Sequence, residues 1–353
     1  MNWSAIDVKR GLIGTLGILL TIVFVGILGP AGLLAGLCAL FLGALDEPDS
    51  VHERLAVRAR FVTIGAVVIG LLSWSGDSTW WVTLVATAVT YLGTLAAGWG
   101  SRAAGEGQFL VLLAVVTLMV GPTDLSPLEM ALAFVAGGVI STAVSLAGGR
   151  WTGDGEAPPA AGGEVPSDGE PRDDSAGHSV QTGVDASAVG EVVRSDVGVF
   201  ALIRAVAVGA ATASGYLLFE DHPVWAVLTV VLVLQMPARQ TWSTGLRRTI
   251  GTIVGVLVGM VIVQWLDTGT TAMLITFLLA GFGMIAFKNV SYTVSTIFTT
   301  CVLLFSERIL QEDTFSSGWQ RIESTLLGTA IALAVVLVTV TRDRTSATIA
   351  ATS

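Results

Sequence analysis

Charge is scarce in this chain. Only 13% of its 353 residues are Asp, Glu, Lys or Arg, about half the share of an ordinary soluble domain. Lysine is almost missing, with Lys9 and Lys288 alone. Lysines preceded by Val8 and Phe287 exclude a phosphate-binding loop, and with it an ATP-driven motor within the chain. The three histidines, His52, His178 and His222, show no metal-ligand spacing, and there is no G-x-S-x-G. No catalytic residue, metal or cofactor is therefore expected, and an enzyme is not. The two cysteines, Cys38 and Cys301, sit inside apolar runs and read as small core residues. No cleavable signal peptide is evident, because Lys9 and Arg10 lead into a run of near-spanning length with no clear small-x-small site.

What the chain has in quantity is apolar sequence. With 53% hydrophobic residues and a mean hydropathy of +0.76, it falls in the membrane class, where about 20 apolar residues span the bilayer core. Apolar runs lie at about 11–29, 30–45, 61–75, 79–99, 107–121 and 127–147, then at 198–219, 222–238, 245–266, 270–287, 289–306 and 320–341. Backbone amides in lipid must bond internally, so these runs predict helices. The expected fold is all-α, a polytopic bundle of about 12 transmembrane helices arranged as two parallel six-helix repeats. If the N terminus is cytoplasmic and the spans alternate, sixteen of the eighteen Lys and Arg residues fall on or near the cytoplasmic side, and only Arg308 and Arg321 fall outside. The expected location is the plasma membrane, multi-pass, with both termini cytoplasmic.

The stretch 148–197 carries ten acids against three arginines, which accounts for seven of the nine net negative charges. Rich in Gly, Ala, Pro and Ser, it reads as a disordered cytoplasmic linker. It separates an N-terminal half, 1–147, from a C-terminal half, 198–345. The halves share an order of features. Arg10 precedes Pro30, and Arg204 precedes Pro223. Each proline opens a short second span that ends near Pro48 or Pro237, and each short span is followed by a basic cluster, Arg58 and Arg60 or Arg247 and Arg248. Short, proline-bounded spans at matching positions of two halves point to a transport site, since their polar ends fall at membrane depth.

Several side chains are candidates to line such a site, each with a plainer alternative. Trp225 is a ring for stacking or an interfacial belt residue. Gln235 is a donor to an anion or merely interfacial. Arg247 and Arg248 form a basic mouth or simple positive-inside anchors. Arg204, several residues into its span, needs water or a partner, and Lys288 sits between two spans. Gly251, Gly255 and Gly259 form a doubled GxxxG that predicts close packing; it puts that span at the bundle centre and turns Thr249 and Thr252 inward. Tyr292, Thr296, Thr299 and Thr300 share one helical face, either as glue between helices or as a hydrated stripe. Arg321 and Glu323 form an outer-edge pair, in which Glu323 is the candidate proton-coupling group or an interfacial charge.

The run "HPVWAVLTVVLVLQMPARQTWSTGLRRTIGTIVGVLVG" resembles the fusaric acid resistance family of inner-membrane proteins, which includes aromatic acid exporters. The family pattern W-A-x-L-T, Q-P, R-x-x-G-T-x-x-G falls here on Trp225, Ala226, Thr229, Gln235, Pro237, Arg248, Gly251, Thr252 and Gly255, with Met236 inserted between Gln235 and Pro237. Tyr292 with Thr299, and "RIESTLLG" from Arg321, resemble later blocks. The resemblance covers roughly 200–340, and the first half has no W-A-x-L-T in its second span. It implies six-helix halves, a cytoplasmic connection and efflux of aromatic or related carboxylates. Plant aluminium-activated malate transporters are also similar, which keeps a passive anion channel open as a reading. A non-transporting membrane scaffold or sensor using the acidic linker is a further alternative. The expected substrate site is Trp225, Thr229, Gln235, Arg248, Thr252, Lys288, Tyr292 and Thr299. The expected partners are a small organic anion and the lipid bilayer, with a homo-oligomer left open and no nucleic acid.

Overall fold

The structure is a computed structural model. It describes residues 15, 19, 23, 30–44, 50–74, 78–120, 125–151, 186–219, 224–234, 238–265, 270–287, 290–309 and 314–352. Their regular structure is helical throughout, with no strand among the described residues. The helices are α1 Pro30–Ala44, α2 Val51–Ser73, α3 Thr79–Leu95 (continued by a 3₁₀ turn, Ala96–Trp99), α4 Ser101–Val120, α5 Pro127–Trp151, α6 Ala186–Arg194, α7 Asp196–Leu218, α8 Trp225–Val233, α9 Ala238–Trp265, α10 Thr270–Ala286, α11 Tyr292–Ile309 and α12 Thr314–Thr352.

Local sequence explains several of the starts. Ser50, Ser78 and Ser291 each accept a hydrogen bond from the amide three residues on, which satisfies one orphan donor of the first turn. The sequence Ser126-Pro127-Leu128-Glu129 is a capping box: the Glu129 amide donates to the Ser126 hydroxyl at 3.3 Å, and the Ser126 amide donates to Glu129 Oε2 at 2.7 Å. Gly100, at φ 110°, breaks the chain between α3 and α4 in a conformation that a side chain would strain.

Five helices among the described residues are long and apolar enough to cross a membrane: Val51–Ser73, Thr79–Trp99, Asp196–Leu218, Thr241–Trp265 and Gly318–Val338. Pro127–Ala143, Ala272–Ala286 and Tyr292–Phe305 are shorter apolar helices. Of the first expected span, 11–29, only Thr15, Leu19 and Val23 are described, all helical. Within the stretch expected to be a linker, 152–185 lies outside the described residues. Ala186–Arg194, however, forms α6, whose Val192 packs on Gly98 at the 3₁₀ turn.

Lipid tails are as apolar as leucine, so packing in a bilayer rests on close backbone approach and polar contacts more than on burial of oil from water. The α9–α11 contact is built this way. A Cβ on Gly251 would sit 2.8 Å from the Thr296 Cβ, one on Gly255 2.7 Å from the Thr300 Cβ, and one on Gly259 2.8 Å from a Leu304 methyl. The GxxxG face and the threonine face are thus the two sides of one seam, and the hydroxyls of Thr296 and Thr299 bond to their own helix. The seam does not put α9 at the centre as expected. Ile253, Val254, Leu257 and Val258 form an exposed opposite face. The centre belongs to α8, which packs on α7 and α12 and touches α4 and α9. Its buried valines join Val208 and Ala211 of α7, Val111 of α4 and Ala332 of α12 in one core.

The seam generates a stability test. Gly251→Leu should destabilise the protein by about 1–3 kcal/mol through overpacking and lower the thermal unfolding midpoint of the detergent-solubilised chain. Gly70→Ala, where an added Cβ meets nothing within 4 Å, should leave that midpoint unchanged or raised. A Gly251→Leu protein as stable as the parent would show that the seam is not a packing constraint.

Candidate substrate site

Helix α8 is nine residues long, about 14 Å at 1.5 Å per residue, and less than half of a bilayer core of about 30 Å. Its sequence, WAVLTVVLV, is uniformly apolar except for Thr229, and all of it but Leu232 is buried. Proline at 223 and 237 brackets it in sequence. The helix stops where Leu234 turns extended, at φ −75° and ψ 107°, so its last carbonyls need partners other than the next helical turn. The Leu234 amide supplies one, to the Val230 carbonyl at 2.9 Å. Arg204 supplies the next: its Nη2 donates to the Val231 carbonyl at 2.7 Å and to Gln108 Oε1 at 2.8 Å, while Nη1 donates to Thr94 Oγ1 at 3.2 Å. A cation at a helix C-terminus is electrostatically favourable. Here it also ties α7 and α8 to α3 and α4.

Two more buried arginines meet α8. The Arg321 guanidinium of α12 lies 4.0 Å from the Trp225 ring centroid, a cation–π contact. Arg248 of α9 is 7% exposed, and its Nε donates to Thr229 Oγ1 at a long 3.4 Å. The Thr229 hydroxyl in turn donates to the Trp225 carbonyl at 3.1 Å. Beside them the hydroxyls of Thr249 and Thr329 are 3.3 Å apart. Arg248 has five N–H donors, and among the described residues this one long bond is its hydrogen bonding. The one buried carboxylate among the described residues is Glu106, which pairs with Arg60 between α2 and α4.

Of the residues expected to form the site, Trp225, Thr229 and Arg248 come together. Trp225 is 5% exposed and so is no belt residue, whereas Trp80, Trp265 and Trp319 are exposed as belt residues would be. Thr252 is buried one turn along α9 from Arg248. Tyr292 and Thr299 lie on α11, which packs on α9 and α10; the Tyr292 hydroxyl is buried with no hydrogen-bond partner among the described residues. Gln235 and Lys288 lie outside the described residues. Arg247 is exposed, and so is Glu323, which faces away from the buried side of α12 that carries Arg321, Ser324 and Thr325. The expected outer-edge pair is thus split, and Arg321 joins the site instead. The sequence held one signal for this. Gly328, seven residues on, lets α12 approach the Ala226 carbonyl and Thr229 of α8, and that close approach carries Arg321 onto Trp225. A separate groove of about 510 Å³ between α3 and α7, lined by Trp80, Leu84, Tyr91, Leu202 and Val206 among others, is open and apolar. The hydroxyls of Thr83 and Thr87 in it donate to their own helix, and no cationic side chain lines it.

Removing Arg204 leaves the Val231 carbonyl buried without its donor. Arg204→Ala should therefore cost about 1–3 kcal/mol, read as a lower thermal midpoint of the purified chain, and Arg204→Lys should recover part of the loss. Equal midpoints for parent and Arg204→Ala would show that the end of α8 does not depend on this contact.

Residues 205–335 match the family model described as fusaric acid resistance protein-like, a range that contains all of α8 and α9 and the site portion of α12. The chain is also 33% identical over 115 residues to the inner membrane protein YccS of Escherichia coli (strain K12). That match covers 33% of this chain and 16% of YccS, so the chain spans about a sixth of the relative it matches. No solved structure matches. The resemblance read from Trp225 to Gly328 is therefore found independently: this is a membrane protein whose second half is similar to the fusaric acid resistance protein-like family.

Proposed function

We propose that the chain is a multi-pass transporter that moves small organic anions, aromatic carboxylates among them, outward across the plasma membrane by secondary transport. The observation that carries this reading is Arg248. It is a buried guanidinium that, among the described residues, is held by one long hydrogen bond and has no buried carboxylate beside it. Burying a charge is costly unless it is paired or faces water, and a guanidinium is matched to a carboxylate by its planar pair of donors. Trp225, joined to Arg248 through Thr229, offers a ring face at the same place. An aromatic carboxylate has the two complementary parts, an anion for Arg248 and a ring for Trp225. The resemblance to aromatic acid exporters supports the same substrate class, and the segregation of Lys and Arg supports cytoplasmic termini.

Twelve spans in two parallel repeats fit the order of contacts. In the first half α5 packs on α1 and α2, and in the second α12 packs on α8 and α9. A passive organic-anion channel is the second reading, and one observation favours it. Glu323 is exposed, whereas a carboxylate that couples protons to transport would be expected to face the buried site.

Uptake of labelled benzoate into proteoliposomes, with and without an imposed pH gradient, separates these readings. Gradient-dependent flux that falls about ten-fold or more in Arg248→Ala, the order expected when a charge-assisted contact of about 1.5–3 kcal/mol is lost, supports coupled transport. Gradient-independent flux with the same loss supports the channel. Flux unchanged by Arg248→Ala removes the site from both. Trp225→Leu should reduce benzoate flux more than acetate flux.

A further inference from the structure

One close approach occurs twice in the chain, 191 positions apart. A Cβ on Gly137 of α5 would collide with the Ala35 carbonyl of α1, and a Cβ on Gly328 of α12 would come within 2.5 Å of the Ala226 carbonyl of α8. Both pairs fix the same register, and burial follows it. Met130, Phe134, Gly137 and Gly138 are buried on α5, and so are Arg321, Thr325, Gly328 and Thr329 at the corresponding places on α12. On α1, Leu34, Ala35 and Cys38 are buried, as are Trp225, Ala226 and Thr229 on α8. A basic residue on the next helix falls one position off this offset: Arg58 lies within electrostatic reach of Cys38, as Arg248 bonds to Thr229.

The side chains that fill this shared frame differ in kind. Where the second half has Trp225, Thr229, Arg321 and Thr325, the first has Leu34, Cys38, Met130 and Phe134, and these four lie together in one buried apolar cluster. The Phe134 ring packs against Gly65 and stands 6.3 Å from the Phe61 ring. Apart from Arg58, an anion entering there would exchange its hydration for methyl groups and ring faces, which cannot replace it. We propose that the chain holds one anion and not two: the second half carries the polar cradle, and the first half is a structural copy of it packed shut by Leu34, Met130 and Phe134. Trp225, Thr229 and Arg321 are then the residues that make one copy of the frame a site.

The identity of the anion rests on the function proposed above, but the difference between the halves does not, and thiol labelling separates the two. Full-length protein in membrane vesicles, with Cys301→Ala, is treated with anionic sulfonatoethyl methanethiosulfonate. The native Cys38 is compared with Thr229→Cys in a Cys38→Ser background, two thiols at corresponding positions, each beside an arginine. Because access governs thiol modification, the introduced thiol should react about ten-fold faster or more, and added benzoate should slow it. Ser324→Cys against Ala133→Cys repeats the comparison at a second pair of corresponding positions, where Ser324 is fully buried and Ala133 only partly so, so that faster reaction at 324 cannot come from surface exposure. Equal rates in the two halves, or no reaction at either second-half thiol, overturn the proposal. A rate difference that benzoate leaves untouched supports the single cradle and counts instead against the aromatic carboxylate as its occupant.

Discussion

A helix that ends inside a protein core must find partners for its last carbonyls, and much of this bundle is arranged around that requirement at α8. In water the exposed groups would be solvated. In a buried interior an unsatisfied carbonyl is expensive, and the partner has to come from another helix. Arg204 meets the Val231 carbonyl from α7 and reaches Gln108 and Thr94 with its remaining donors. One side chain thereby fixes the end of the short helix and the seating of α7 against α3 and α4. The apolar core around α8 draws on those same helices, so the polar contact and the packing impose the same arrangement.

Once α8 is held as a short central element, the other arginines follow from geometry. Gly328 brings α12 close enough to set Arg321 over Trp225, and Gly245 brings α9 against Val233 and Thr329, leaving Arg248 beside Thr229. Neither cation is neutralised by a buried carboxylate among the described residues. The ring of Trp225 faces Arg321 and the hydroxyl of Thr229 orients Arg248, and neither group carries a charge of its own. Buried cations of this kind contribute little to stability and suit anion recognition, which supports the proposed role of the cluster.

The class of the protein was legible from its apolar runs, and the short second span from Pro223 and Pro237. The meeting of Trp225, Thr229 and Arg248 was legible because α8 and α9 are neighbours in sequence. The GxxxG seam was legible as packing, but not its location. A glycine stripe says that one face is in contact, and says nothing of the opposite face, where Ile253 and Leu257 are exposed. Arg321 has the local sequence of an edge charge, because its partner ring is far away in sequence. Arg204 was seen to need partners, yet Gln108 and Thr94 lie 96 and 110 positions away in the other half. No local periodicity encodes such contacts. The helix at Ala186–Arg194 was hidden for the opposite reason: the polar, glycine-rich sequence before it sets the composition of the whole stretch.

The central claim is that α8 and its arginines read both the charge and the ring of a small anion. It is tested most directly by equilibrium titration of the purified full-length chain with three ligands of similar size: benzoate, benzamide and cyclohexanecarboxylate. Benzoate should bind at least about ten-fold more tightly than benzamide, the scale of one charge-assisted hydrogen bond, and more tightly than cyclohexanecarboxylate. Benzamide binding as tightly as benzoate would contradict the claim, because the buried guanidinium groups would then not be reading charge.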